Sequence, residues 1–98
     1  MNNQFELTAT LYKVDTLRYT PAGVPVLDVV LQHESWQEEN GSRCQVKFEL
    51  PAKIIGQDAQ AWQHKQGKMV SVTGFLAQRS QRILRPVLRI QHITEYKG

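Results

Sequence analysis

The sequence predicts an all-β domain, because apolar and polar side chains alternate with a period of two in several short segments. Glycine, proline and an Asn-Gly pair separate these segments, and such residues favour turns. Apolar residues recur at helical spacing in only one short segment. A chain of 98 residues can bury one small core but not two, so we expect a single domain over residues 1–98.

The first two strands are predicted on either side of a turn rich in proline and glycine. The apolar positions of the first strand alternate with polar ones and are Phe5, Leu7, Ala9 and Leu11. Residues 20–25 have the sequence Thr-Pro-Ala-Gly-Val-Pro. Because the prolines cannot donate to a strand ladder or continue a helix, this segment is predicted to form a turn. Residues 26–33 alternate again and give the second strand.

The third strand follows an Asn-Gly pair at residues 40–41, which is a strong signal for a tight hairpin. Polar and apolar residues then alternate strictly over Arg43, Cys44, Gln45, Val46, Lys47, Phe48, Glu49 and Leu50. We expect the apolar set, including Phe48 and a buried Cys44, to line the interior of the domain. This arrangement turns Arg43 and Lys47 towards the outer surface. Pro51 is expected to end the strand.

A short helix and two further strands complete the prediction. Residues 52–64 carry apolar residues at roughly helical spacing, although Gly56 lies within this segment. Residues 69–77 and 84–93 alternate as the fourth and fifth strands, and Gly74 suits a bulge or bend. One short helix between strands 3 and 4 of a five-stranded barrel is the connectivity of the OB-fold. An SH3-like barrel is the alternative, but it usually lacks a helix at this point.

Charge is strongly polarised along the chain. Residues 1–58 carry five basic and eight acidic side chains, whereas residues 59–98 carry seven and one. No acidic residue occurs between Asp58 and Glu95. Clustered arginines concentrate polyanions, and the planar guanidinium group matches phosphate oxygens. Nucleic acid is therefore the first partner that the sequence predicts.

Several other classes of protein are not expected. No apolar run approaches the roughly 20 residues of a membrane span, and the N-terminus lacks the basic and apolar parts of a signal peptide. Cys44 is the only cysteine, so we expect a cytoplasmic protein without an intrachain disulfide. His33, His64 and His92 have no metal-ligand neighbour at a recognisable spacing, and no phosphate-binding loop or nucleophile motif occurs. We therefore expect neither catalysis nor a cofactor.

Three segments resemble the PriB family, also called primosomal replication protein N. They are residues 20–25 (Thr-Pro-Ala-Gly-Val-Pro), residues 30–39 (Val-Leu-Gln-His-Glu-Ser-Trp-Gln-Glu-Glu) and residues 72–76 (Val-Thr-Gly-Phe-Leu). The resemblance covers nearly the whole chain and implies an OB-fold homodimer related to bacterial single-stranded DNA-binding protein. It also implies single-stranded DNA binding in the restart of collapsed replication forks, alongside the PriA helicase and other primosome proteins. This chain has Lys47 where the better-known enteric members carry an aromatic residue on the third strand.

Cations and aromatic residues around the predicted binding surface form the candidate site. Single-stranded binders combine a basic groove with aromatic faces on which bases stack. The candidate phosphate contacts are Arg18 in the loop between strands 1 and 2, Arg43 and Lys47 on strand 3, Arg79, Arg82 and Arg85 in the loop between strands 4 and 5, and Arg89 on strand 5. Tyr19 and Trp36 are the candidate stacking residues, and either can instead be buried against a dimer partner or a loop.

Two alternatives to a nucleic-acid binder of this kind remain open. A pure adaptor would hold a helicase through strand edges and the acidic segment 34–39, with nucleic-acid binding incidental. An RNA-binding module of the cold-shock type would show aromatic-rich strands, which this chain lacks. The adaptor is the stronger alternative, because Lys47 stands where a stacking residue is expected.

Overall fold

Six strands and one helix make up the computed structural model of the chain, which describes all residues 1–98. In chain order the elements are β1 (Phe5–Val14), β2 (Arg18–Tyr19), β3 (Pro25–Glu39), β4 (Ser42–Ile55), α1 (Gln57–Trp62), β5 (Met69–Gln78) and β6 (Pro86–Glu95). The predicted Asn-Gly hairpin joins β3 to β4. Asn40 and Gly41 both have positive φ, 50° and 79°, as the twist of a two-residue hairpin requires.

The strands form one sheet that closes into a barrel. Their order is β1-β5-β6-β4-β3-β2, and β1 also pairs with β3. β1 pairs with β5 over residues 5–10 and with β3 over residues 10–14, and a register shift between Leu11 and Lys13 bends the strand between them. The predicted all-β OB-fold is confirmed. Because the two-residue strand β2 is an addition, the predicted helix lies between β4 and β5 in this numbering.

The buried core fills the barrel and contains no polar side chain. Its largest fully buried members are Leu11, Leu27, Leu31, Ile54, Leu88, Val70 and Val72. The predicted inward faces of β1 and β5 are confirmed by the burial of Ala9, Leu11, Val70 and Val72. Full burial of one such aliphatic side chain stabilises the fold by roughly 1.5–3 kcal/mol. These contacts hold in place the sheet whose outer face carries the charged residues.

Gly74 marks a bulge between β5 and β6, as the sequence predicts. The register of the two strands shifts between Thr73 and Gly74. A Cβ atom at Gly74 would lie 2.9 Å from the carbonyl carbon of Arg89 and 3.0 Å from Cα of Ile90. The backbones of β5 and β6 therefore approach too closely here for any side chain.

The prediction that Pro51 ends the third strand is wrong. β4 continues through Pro51 to Ile55, and Pro51 lies opposite Val30 of β3. On its other side β4 pairs with β6 only from Ala52 to Ile54. The missing N–H of the proline therefore leaves no gap in that ladder.

The helix is shorter than predicted. Residues 52–55 belong to β4, and α1 begins at Gln57 after Gly56, whose φ of 99° and ψ of −152° suit glycine alone. Gly56 thus separates strand from helix and does not lie inside the helix. Ala59 is buried and Trp62 packs half-buried against the core, so α1 covers part of the barrel. No helix of this chain has the length and apolar character needed to cross a bilayer.

β3 and β4 extend past the barrel as a two-stranded arm, which comprises residues 33–39 and 42–49. In the arm the two strands pair only with each other. The prediction that the apolar face of the third strand lines the interior is therefore wrong here, because Cys44 is half-buried and Phe48 is 36% exposed. Phe48 packs instead on the ring of His33, with 5.0 Å between ring centroids.

Candidate nucleic-acid interface

Residues 79–85 form the loop between β5 and β6, which we call the basic loop. The Arg79 backbone N–H donates to the Arg85 carbonyl oxygen at 3.2 Å and closes the loop at its base. Inside it, the Ser80 N–H donates to the carbonyl oxygen of Ile83 at 3.2 Å, and the Ile83 N–H donates to the Ser80 hydroxyl at 3.0 Å. These bonds hold a tight turn in which all three arginine side chains are exposed.

A second basic group lies across the outer face of the barrel. Arg89 on β6 stands beside Lys53 on β4, and Lys53 stands opposite Asp28 on β3. On its other side Arg89 is in register with Phe75 of β5, and its guanidinium carbon lies 5.9 Å from the centroid of the phenyl ring. Neighbouring strands are about 4.8 Å apart. These side chains therefore form one transverse row, which we call the barrel row.

Arg18 joins the barrel row from β2 through an ion pair with Asp28. The Arg18 Nε donates to one carboxylate oxygen at 2.7 Å, and a terminal nitrogen donates to the other at 3.3 Å. The hydrogen bond and the negative charge of Asp28 raise the pKa of the Arg18 guanidinium above its ordinary value. Arg79 of the basic loop lines a shallow groove together with Lys53, Asp15 and Asp28. The structure thus brings the basic loop and the barrel row together on one surface.

Arg43, Lys47 and Trp36 lie apart from these groups, on the outer face of the arm. Lys47 precedes Lys53 by six residues of β4, a distance of roughly 20 Å along an extended strand. The Arg43 guanidinium lies over the indole of Trp36, 4.9 Å from the ring centroid, and Trp36 is 58% exposed. The Lys47 ammonium pairs with the Glu34 carboxylate at 3.9 Å.

The arm as a whole is negatively charged. It carries four glutamates against Arg43 and Lys47, for a formal charge of −2 with histidine neutral. Glu38 stands directly opposite Arg43 in the strand ladder. Both cations of the arm thus face a carboxylate, whereas the three arginines of the basic loop have no ion-pair partner. A phosphate group meets less competition at the loop than at the arm.

Phe75 lies at one end of the barrel row, and Tyr19 lies beside Arg18 in β2, with its side chain on the opposite side of that strand. Tyr19 follows Arg18 in β2 and is 56% exposed. Its hydroxyl accepts a hydrogen bond from the side chain of Gln60 in α1 at 3.3 Å, which positions the ring at the surface. Phe75 is half-buried beneath Arg89. Aromatic surface is therefore available at Phe75 within the row and at Tyr19 near its β2 end.

Lys53 is a candidate contact that the sequence prediction missed. The prediction assigns residues 52–64 to a helix, in which Lys53 has no defined orientation towards the binding surface. An unbroken strand from Lys47 to Lys53 places both side chains on the same face, because their spacing is even. This alternation was the available signal, and Pro51 concealed it by suggesting an earlier end to the strand.

The histidines are not arranged as metal ligands. No three His, Cys, Asp or Glu side chains lie close enough together to hold a metal ion. Both ring nitrogens of His33 are already engaged, since Nδ1 lies 2.7 Å from the carbonyl oxygen of Thr8 and Nε2 lies 2.8 Å from the Ser35 hydroxyl. These contacts tie the base of the arm to β1.

Known proteins of similar sequence and fold share this architecture. Residues 3–92 match the family SSB_1, described as another single-strand binding protein family. Replication restart protein PriB of Neisseria meningitidis serogroup B is 60% identical over 97 residues, which are 99% of this chain and 97% of that protein. The solved structure of PriB from Ralstonia solanacearum has a TM-score of 0.86 at 30% identity, covering 98% of this chain and 99% of that one. Wild-type single-stranded DNA binding protein from Thermus aquaticus has a TM-score of 0.77 at 25% identity, covering 99% of this chain and 51% of that one.

Proposed function

Because this chain belongs to the PriB family of replication restart proteins, we propose that it binds single-stranded DNA during replication restart and assists the PriA helicase in the cytoplasm. It contacts the phosphate backbone without preference for base sequence. The observation that carries this proposal is the continuity of the basic loop with the barrel row. Outside the Arg18–Asp28 ion pair, the cations on this surface are Arg79, Arg82, Arg85, Arg89 and Lys53.

The charge of this surface suits a polyanion better than a single acidic group. Its arginines are exposed on a loop without carboxylates, so the positive field reaches into solvent. Guanidinium groups donate two parallel hydrogen bonds to phosphate oxygens, and such contacts are the same at every nucleotide. Asp28 engages Arg18, so Arg18 contributes to the groove as one half of an ion pair. Sequence-independent backbone binding follows from this arrangement.

The arm supplies a secondary contact in this proposal. A single strand of DNA that leaves the barrel row along the outer face of β4 reaches Lys47 and then Arg43 and Trp36. Stacking of one base on an aromatic side chain is worth roughly 1–3 kcal/mol. Arg43 already covers one face of the Trp36 indole, so a base stacks on the other face. Tyr19 offers a comparable ring at the β2 end.

Titration of a labelled oligonucleotide of about 30 nucleotides tests this function. Five phosphate contacts at roughly 0.7 each predict a slope of about −3.5 for the logarithm of affinity against the logarithm of salt concentration. Affinity should therefore fall about 100-fold between about 50 and 200 mM salt. Oligonucleotides of different base sequence should behave alike. Lack of binding at low salt, or binding that does not respond to salt, contradicts the proposal.

The second candidate function is that of a primosome adaptor, and the negative arm favours it. An arm with a formal charge of −2 attracts phosphate groups less than the basic loop does, and it complements a basic surface on another protein. An adaptor predicts that the oligonucleotide is retained only when the PriA helicase is present. The proposed function requires binding by this chain alone, so the same titration with and without helicase separates the two.

We further propose that two copies pair through the edge of β1. Residues 5–9 pair with β5 on one side, but β3 reaches β1 only from Thr10 onward. No strand pairs with the other edge of residues 5–9, where only the Thr8 carbonyl oxygen is engaged, by His33, and an unpaired edge favours addition of a second strand. A two-fold axis here would join two basic loops into a longer track. Light scattering should give twice the 11.3 kDa chain mass, whereas a single species of the chain mass contradicts pairing.

A further inference from the structure

Ile83 and Leu84 project into solvent from the tip of the basic loop. Leu84 is 73% exposed, more than any other large hydrophobic side chain except that of Met1, and Ile83 is 44% exposed. All other residues of the loop are polar. The turn holds this arrangement, because Ser80 bonds both the N–H and the carbonyl group of Ile83. These bonds fix the backbone at Ile83, and with the neighbouring Leu84 it forms a small apolar patch at the tip of the basic loop, of the kind that contact surfaces use.

The charges around the tip indicate what it contacts. Arg82 precedes the aliphatic pair and Arg85 follows it, so a guanidinium group stands on each side. Residues 59–94 contain no carboxylate. The ligand that fits this pattern is anionic and also exposes apolar surface. A single nucleic-acid strand offers both, because each nucleotide carries a phosphate and the flat face of an unstacked base.

We propose that Ile83 and Leu84 contact the faces of unstacked bases and thereby make the basic loop selective for single-stranded over double-stranded DNA. This inference rests on the proposed function, which supplies the phosphate contacts. Those contacts cannot discriminate by themselves, because a duplex presents the same phosphate groups. Base faces are covered in a duplex and open in a single strand. In proteins that bend duplex DNA, aliphatic side chains reach base faces only by unstacking a base step, which costs free energy, whereas a single strand offers its base faces without this cost.

Three probes of equal length isolate this contact: an oligothymidylate, an oligomer of abasic sugar–phosphate units, and a duplex. The test variant combines Ile83→Ser with Leu84→Ser. Both side chains are exposed, so the fold does not depend on burying them. Ile55→Ser is the matched control, because Ile55 is 43% exposed on β4, outside the basic loop. Leu84→Met tests whether apolar character is sufficient. Thermal unfolding of each protein checks that the fold is intact.

The double serine variant should bind oligothymidylate about fivefold to tenfold more weakly than the unchanged chain, by analogy with the loss of one base contact. Its affinity for the abasic oligomer and the duplex should stay within about twofold, and its salt slope should not change. The selectivity for single over double strands falls accordingly. Ile55→Ser and Leu84→Met should bind as the unchanged chain does.

Two results overturn the inference while leaving the proposed function intact. One is an unchanged affinity of the double variant for oligothymidylate. The same result is expected if the tip of the basic loop contacts a protein and not DNA. The other is an equal loss on the thymidylate and abasic probes, which shows an effect on the loop and not on base contact. If the unchanged chain binds no probe at low salt, the proposed function itself fails and the inference falls with it.

Discussion

A triple variant in which glutamine replaces Arg79, Arg82 and Arg85 should bind every single-stranded DNA sequence about 100-fold more weakly at about 0.1 M salt. The physical reason is counterion release, since each lost phosphate contact removes roughly 0.7 from the salt slope and three contacts remove about two. The remaining slope should be about −1.5, from Arg89 and Lys53. Anisotropy titrations of a labelled oligonucleotide at four or more salt concentrations measure both quantities.

A matched variant separates the position of the charges from their number. Lys65→Gln, Lys68→Gln and Lys97→Gln together remove the same formal charge from outside the basic loop and the barrel row. This variant should keep the slope within about half a unit of the unchanged chain. Asp28→Asn works in the opposite direction, because it releases Arg18 from its ion pair and should strengthen binding. Equal losses in the two triple variants would show that overall charge, and not the basic loop, governs affinity.

Gly74→Ala should destabilise the fold by about 3 kcal/mol, at the upper end of the usual range for an overpacked site. The added methyl group meets backbone atoms of Arg89 and Ile90, which cannot move aside as the end of a side chain can. A loss of this size lowers the midpoint of thermal unfolding by about 15 °C in a domain of this length. Denaturant unfolding followed by circular dichroism gives the free energy directly.

Gly23→Ala is the control for this substitution. Gly23 has a φ of 84°, but a Cβ atom added there would have no other atom within 4 Å. Alanine at this position therefore costs only about 1 kcal/mol of backbone strain. The two variants therefore compare lack of space with an unfavourable backbone conformation. A smaller loss for Gly74→Ala than for Gly23→Ala would mean that β5 and β6 are not in close contact at the bulge.

Most of the fold could be predicted because strands and turns can be recognised from short local sequence patterns. The alternation is unbroken from Phe5 to Leu11 in β1 and from Val70 to Thr73 in β5, and the Asn-Gly pair between β3 and β4 forms the hairpin that such pairs favour. The prediction failed where a local signal had two readings. Pro51 usually ends a strand, but the edge that it occupies on β4 needs no N–H from it. Gly56 weakens a helix, and here it marks the junction between strand and helix.

The candidate site could be predicted only in part. The arginines of the basic loop are neighbours in sequence, so their grouping was visible without a structure. Lys53 was missed because its strand was assigned to a helix. Arg18 was expected to contact phosphate from the loop between strands 1 and 2, and its bond to Asp28 depends on β2 and β3 lying side by side. Whether each of these residues contacts DNA stays a prediction.

By itself, the sequence determined the all-β class, the single small core, the position of the turns and the basic character of the last loop. These properties depend on residues within a few positions of one another, so their pattern along the chain is sufficient. Only the tertiary structure decided that Lys53 stands beside Arg89, that Asp28 engages Arg18, and that half of β3 and β4 leaves the barrel as an arm. The first two features depend on which strands lie side by side, and those strands are distant in sequence. The third depends on where the barrel ends along β3 and β4. No local sequence pattern encodes either property.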